Sequence, residues 1–232
     1  MSMDDILIFG IGAKGDEVAA FIKEYDLYNI IGFTVDAKYL NVEHFWGLPV
    51  YPAEVVEKYI NTDTLVYIAV SQQLFMNRIR EEKYNMMKEK GYHFANIVSP
   101  KATVKACQLG EGNWVKDFAY IGYKSEVEDN NIFGVYSNLE HYSVIGNHNY
   151  VCCNSTIAGN CRIGNNNYFG VSSTVYNVVN IGNKCLIGGG AIVKKDIFDY
   201  TLCKSVDSNI EQINENLIEC YILPKEVMEN NE

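Results

Sequence analysis

Residues with the types and spacing of an anion-binding site cluster in the first third of the chain. Gly10-Ile11-Gly12-Ala13-Lys14-Gly15 stands between a short apolar run, ILIF at 6–9, and EVAAFIKEY, whose apolar residues recur at helical spacing. A G-x-G-x-x-G turn from strand into helix permits a tight bend and leaves free helix amides facing a phosphate or similar anion. The next apolar run, IIGFTV, ends at Asp36, an acid placed to reach a ribose or a base. TLVYIAV (64–70) reads as a third strand with Ser71 at its carboxyl tip. A lone glycine pattern fits a purely structural turn equally well. The strand–turn–helix setting and Asp36 shift the balance toward a ligand.

The elements that must hold these groups follow from the same pattern. Residues 77–90, with Arg78 and Arg80, read as a helix, and FANIV (94–98) as a last strand before Pro100. Residues 1–99 therefore form a small Rossmann-like α/β domain. It lacks the second half of a dinucleotide fold, so hydride chemistry is not expected.

Composition bounds the partners. The 232 residues are 48% hydrophobic and 21% charged with 4 Pro, which excludes a disordered or collagenous chain. Lys+Arg 19 against Asp+Glu 29 gives a net charge of −10, which argues against a sequence-independent grip on nucleic acid or an anionic membrane. It does not argue against a small anion met by local donors. No apolar run reaches the ~20 residues of a membrane span. MSMDDILIFG carries two acids where a signal peptide would be basic. The cysteines, at 107, 152, 153, 161, 185, 203 and 220, are odd in number and contain no CxxC pair. They argue against zinc or a disulfide framework and point to a cytoplasmic location.

The second half carries an internal repeat. Stepping by six from Leu109 to Val193 meets fifteen apolar residues in succession, through Val115, Ile121, Val127, Phe133, Leu139, Ile145 and onward. Two places earlier stand mostly small or amide residues, such as Asn113, Ser125, Asn131, Ser143, Asn149 and Ser155. Period six fits neither an α-helix nor a coiled coil. It describes a short strand plus a turn with one side chain always inward, three units closing a triangular coil of 18 residues. Such a chain is a left-handed parallel β-helix. Residues 104–193 supply five coils, a prism roughly 24 Å tall. Glycines at 110, 122, 134, 146, 164, 170, 182 and 188 each follow an inward residue, where the chain is expected to turn a corner. The domain reading is 1–99 α/β, 100–196 β-helix and 197–232 a C-terminal extension.

A glycine-loop α/β domain followed by a hexapeptide β-helix resembles the bacterial sugar acyltransferases that comprise the sialic-acid O-acetyltransferases and the N-acetyltransferases of nucleotide-linked 4-amino sugars. The likeness spans about residues 5–196. It rests on LIFGIGAKGDEVA, GFTVD, YIAVSQQLFMNRI, FANIVSPKATV, LEHYSVIGNHNYV, IAGNCRIGNNNYFGVSSTV and IGGGAIVKKDI. The resemblance implies an acetyl-CoA-dependent acetyltransferase of surface-glycan synthesis, assembled as a homotrimer with the co-substrate between neighbouring prisms. It places the catalytic base at His141, the nucleotide-sugar contacts at Gly12, Ala13, Lys14, Val35, Asp36 and Ser71, and the acetyl-CoA contacts at Tyr150, Gly159, Val171 and Gly189. A neutral imidazole suits removal of a proton from an attacking amine or hydroxyl near pH 7. His141 follows inward Leu139 by two residues and should project from a corner, and Gly159, one coil on, should leave room for a ligand beside it. His44 and His93 read as surface or domain-edge histidines, and His148 as exposed.

The pattern departs from the resemblance in places. Tyr142 stands where many members carry an acid that supports the histidine, and Glu140 on the other side leaves that role open. Lys14 replaces a usual histidine but keeps a donor. A Gly-Asn-Pro ending is replaced by TLCKSVDSN. An O-acetyltransferase, or a solenoid that binds without catalysing, remains an alternative on the sequence.

Overall fold

The computed structural model describes residues 3–70 and 77–206, so Ser71 and most of the C-terminal extension lie outside the described residues. Strands β1 (Asp5–Phe9), β2 (Asn29–Val35), β3 (His44–Phe45), β4 (Leu48–Pro52) and β5 (Leu65–Ile68) form one sheet in the order β3-β4-β2-β1-β5. All its pairings are parallel except β3 with β4. β1 is buried on both faces, which is why ILIF reads as an unbroken apolar run. Helix α1 (Ala13–Glu24) packs Val18, Ala19 and Ile22 onto the sheet, and α2 (Arg78–Glu89) buries Arg80, Tyr84 and Met87. Among the described residues no helix is long and apolar enough to cross a membrane.

FANIV is not one strand. Phe94 makes a single bridge to Val66 of the sheet, whereas Ile97–Val98 pairs with Trp114–Val115 and begins the β-helix. Asn96 makes the transfer. Its side chain accepts from the Asn113 amide at 2.8 Å and donates to the Gly110 carbonyl at 2.6 Å, drawing the backbone from one sheet into the other.

From there the chain winds into three parallel sheets. The first runs from Thr103–Val104 to Ile192–Val193, the second from Gln108–Leu109 to Asn180–Ile181, and the third from Ile97–Val98 to Leu202–Cys203. Interior rungs pair at a constant offset of 18 residues, as Tyr120 with Asn138 and Asn138 with Thr156. The offset is 17 at the first rung, Ile97 with Trp114, and 16 at the last, Leu186 with Leu202. The whole six-step apolar series lies in one core, fully buried except for Leu109 at the end.

The corners are built differently from expectation. At every sixth position from Phe118 to Lys184 a non-glycine residue takes left-handed φ between 54° and 65°, including Tyr136, Tyr142, His148 and Val178. The glycines that follow inward residues have another cause. A Cβ on Gly122 would stand 2.5 Å from the His141 amide nitrogen, and one on Gly134 2.7 Å from that of Cys153. Close approach of stacked coils, not a positive φ, demands glycine there.

Two asparagine ladders line the corner between the second and third sheets. Asn113, Asn131, Asn149 and Asn167 each accept, through Oδ1, an amide one coil on, and Asn147, Asn165 and Asn183 do the same one coil back along the rim. Buried backbone amides are thereby satisfied where no strand reaches them.

The α/β domain is cemented to the third sheet and to this corner. Trp114 and Ile132 point outward from the prism into a core shared with Ile6, Ile8 and Ile22. Arg80, fully buried, donates from Nη2 to the carbonyls of His148 (2.9 Å) and Asn149 (3.2 Å) and from Nη1 to the carbonyl of Asn130. His148 is thus buried rather than exposed, because Tyr84 and Arg80 of α2 cover its corner. Its Nδ1 lies 2.8 Å from Asn130 Nδ2 and so accepts. Burial, and then the Arg80 guanidinium, push its pKa down to about 4 from 6.5, against the opposing pull of Asp129.

A histidine with a depressed folded pKa loses stability as pH falls through the window between its unfolded and folded values. Acidification from pH 7 to 4.5 should therefore cost ~2–3 kcal/mol through His148 alone. His148→Asn keeps a residue type found at the same corner in Asn130 and Asn166, both left-handed. Denaturant melts of the variant should show this acid loss removed; an unchanged slope between pH 6.5 and 4.5 would contradict the assignment.

Candidate functional site

β1 and β2 end side by side, and the glycine loop and Asp36 share the carboxyl edge of the sheet. The three loop glycines have different reasons to be glycine. Gly10 has φ +128°, and a Cβ there would meet the Ala69 carbonyl oxygen at 2.3 Å. A Cβ on Gly15 would stand 2.1 Å from the Gly10 carbonyl oxygen. A Cβ on Gly12 would meet nothing within 4 Å. The fold needs the first and third glycines, while the second leaves bare backbone open to a ligand.

The first intrahelical bond of α1 runs from the Asp16 amide to the Gly12 carbonyl, so the amides of Ala13, Lys14 and Gly15 precede it. A cleft of about 470 Å³ opens beside them, lined by Ile11, Gly12, Lys38, Tyr39, Asn41, Val42 and Phe45. A larger hollow lies at the opposite edge of the sheet, at Asp4, Asp5 and Asp63, and shares no residue with the loop. Three acids suit no anion.

Val35 and Asp36 close the β2 end of the site, both largely buried. The Asp36 carboxylate is not free: Lys83 Nζ of α2 lies 2.6 Å from it. Lys14 Nζ stands 2.5 Å from Glu17 Oε2 in the same helix turn, and Lys116 of the prism bonds the other oxygen of Glu17. Sequence reasoning missed Lys83, Lys116 and the cleft wall at 38–45. Lys38 and Tyr39 follow Asp36 directly and could have been suspected; the other two lysines come near only through tertiary packing.

The second group sits on the prism. His141 lies at the corner between the first and second sheets and is half exposed. Gly122 beneath pins its backbone, and Gly159 above carries its ring, since a Cβ on Gly159 would fall 2.6 Å from Nε2 and 2.7 Å from Cε1. The space that Gly159 provides is filled by the imidazole itself rather than kept for a ligand. Tyr142 takes the left-handed corner conformation and meets the His141 ring edge-on at 5.8 Å between centroids. The charged neighbour is Glu140, whose Oε2 lies 3.8 Å from Nδ1, an ion-pair rather than a hydrogen-bond distance.

Val171 and Gly189 stand one coil apart on the corner between the third and first sheets; a Cβ on Gly189 would touch the Val171 carbonyl at 3.3 Å. Tyr150 lies on the third sheet, stacked on Tyr168 with ring centroids 5.4 Å apart, and burial pushes its phenol pKa up to about 12. The structure therefore brings His141 to Gly159, Val171 to Gly189, and Gly12 to Ala13 and Lys14. It does not bring these sets to one another. The α/β domain covers the third sheet, and His141 lies on the edge opposite that sheet.

No family model matches the chain. Solved structures do. The acetyltransferase domain of PglB from Neisseria gonorrhoeae superposes with a TM-score of 0.75 at 22% identity, over 87% of this chain and 99% of that one. PerB from Caulobacter crescentus, in complex with CoA and GDP-perosamine, gives 0.73 at 21% identity, over 88% and 97%. WeeI from Acinetobacter baumannii gives 0.73 at 19% identity, over 85% and 94%. The chain has their fold.

The contrast among the loop glycines is testable by stability alone. Gly12→Ala should change the unfolding free energy by no more than ~1 kcal/mol, the span of N-cap effects. Gly15→Ala, whose methyl meets backbone, should cost at least ~2 kcal/mol. Thermal melts of equal cost would refute the separation of ligand-facing and structural glycines.

Proposed function

We propose that the chain is an acetyl-CoA-dependent N-acetyltransferase of a nucleotide-linked amino sugar, belonging with the bacterial sugar acetyltransferases and serving surface-glycan synthesis. The observation that carries this reading is the imidazole of His141 seated on Gly159 at an open prism edge. It stands in a fold shared over nearly its full length with PerB, which was solved with CoA and GDP-perosamine. The acceptor's diphosphate would meet the amides of residues 13–15 and Lys14. The open backbone at Gly12 suits a close approach, as do Val171 and Gly189 for the pantetheine arm.

In the transfer, acetyl-CoA supplies an activated acyl carbon. His141 removes the proton from the attacking amine as the new N–C bond forms and returns it to the departing thiolate, so no net proton is consumed. In the Nδ1–H tautomer the Nε2 lone pair is the acceptor, and the Glu140 carboxylate stands on the Nδ1 side of the ring.

We further propose a homotrimer. A single chain holds its glycine loop and His141 on different sides of the prism, so one site must combine the loop of one protomer with the histidine edge of another. Exposed aromatics on both free edges support that packing: Phe118 and Tyr136 on one, Tyr123, Tyr142 and Tyr176 on the other. Light scattering at micromolar concentration should give the mass of three chains, and the mass of one would overturn the assembly.

The activity test is thioester cleavage across UDP-, GDP- and dTDP-linked amino sugars, with hydroxyl-bearing counterparts to separate N- from O-transfer. His141→Ala should lower kcat by ~10²–10⁴ with ligand affinities retained. Gly159→Ala, which places a methyl where the ring lies, should lower kcat at least ~10-fold with an unchanged melting temperature. Near-normal turnover in His141→Ala would remove the base.

A further inference from the structure

The glycine-loop domain offers only part of the positive charge at its own mouth; the rest comes from the prism. Lys116 leaves the third sheet just after Val115 and reaches the first turns of α1. There its ammonium bonds Glu17 Oε1 while that of Lys14 bonds Glu17 Oε2. Both lysines lie against Trp114, with Nζ 4.0 Å from the ring centroid for Lys116 and 5.5 Å for Lys14. Their side chains are 12% and 19% exposed, while Glu17 is 43% exposed.

An interdomain strut would need one lysine and one carboxylate. Here two ammonium groups share one carboxylate, so these three groups carry a net single positive charge on the first turns of α1, where Asp16 is separately engaged by the Trp46 indole N–H. The backbone at Gly12 is open, and the buried indole N–H of Trp114, against whose ring both lysines lie, has no hydrogen-bond partner. Burial alone would raise the Glu17 carboxyl; the hydrogen bonds from Lys116 and Lys14 outweigh it and hold the group below its ordinary range. The carboxylate is also the most exposed member and the one free to swing away. In a chain of net charge −10, an incoming anion gains most where two partly desolvated cations are already collected.

We propose that Lys116 is a second cation of the diphosphate site, held in place by Glu17 and handed to the ligand's phosphate oxygens when they displace that carboxylate. The proposal rests on the nucleotide-sugar reading above. It makes the β-helix domain a contributor to nucleotide binding and Glu17 a competitor that lowers affinity for every phosphate ligand.

The test is isothermal titration of the full-length protein with UDP, GDP and dTDP, and separately with acetyl-CoA. Lys116→Met keeps the hydrocarbon stem over Trp114 and should weaken binding of the favoured nucleoside diphosphate ~10- to 150-fold, with acetyl-CoA affinity unchanged. Glu17→Gln leaves both lysines in place and should tighten nucleotide binding several-fold. A strut would instead make both variants lower the melting temperature alike and leave affinity untouched, which overturns the proposal. Weaker binding by Glu17→Gln overturns it as well. If Lys116→Met is unaffected while Lys14→Ala loses affinity, Lys116 is excluded and the glycine-loop reading stands. Failure of the unaltered protein to bind any of the three diphosphates overturns both.

Discussion

One inward side chain every six residues is the constraint on which the molecule depends. Each strand sends one large apolar side chain into the prism, joined in some units by one two places earlier such as Ala119, Cys161 or Ala191, and the chain turns after it. That constraint sets the left-handed corners, which cost a non-glycine residue ~1–2 kcal/mol each. It also sets glycines such as Gly122 and Gly134, where a Cβ would run into the backbone of the next coil. Coils stacked in this way bring residues 18 apart into contact, and His141 finds its place between Gly122 and Gly159 for that reason. The asparagine ladders extend the logic to the corner where amides would otherwise be buried without partners.

The same stacking leaves outward faces free to do different work. The third sheet spends its outward residues on the α/β domain, with Trp114 and Ile132 entering that domain's core and Arg80 reaching back to three corner carbonyls. The terminal nitrogens of the buried guanidinium need those carbonyls fixed, and the left-handed residues Asn130 and His148 fix two of them, while Arg80 Nε has no hydrogen-bond partner. The histidine edge carries little structure beyond its own coil. Its ring rests on Gly159, with Tyr142 edge-on and Glu140 on the Nδ1 side, and about half of the side chain is exposed.

Much of this was legible in the residues. A period-six apolar series has few physical explanations, so the β-helix could be read directly, and the strand–glycine–helix order identified the loop. The glycine positions were right for a different reason: spacing shows where glycine recurs but not whether φ or a neighbouring coil requires it. The burial of His148 was not legible, because its corner is exposed in an isolated prism and is covered only by α2. FANIV could not be divided from its apolar content, since Phe94 and Ile97 are both buried in different sheets. Lys83 and Lys116 lack any local signature. Charges that act at a distance in sequence become visible only when the two domains are joined.

The unequal rungs at the two ends of the prism have an evolutionary corollary. Offsets of 17 and 16 occur only where the ladder opens and closes, while every interior rung keeps 18. A deletion of one residue in an interior coil would shift inward side chains outward for all coils above it. Even six residues would rotate those coils by a third of a turn and carry Gly159 away from His141. Length drift in such a chain is therefore quantised: single residues can come and go at the rims, and the interior can change only by whole coils.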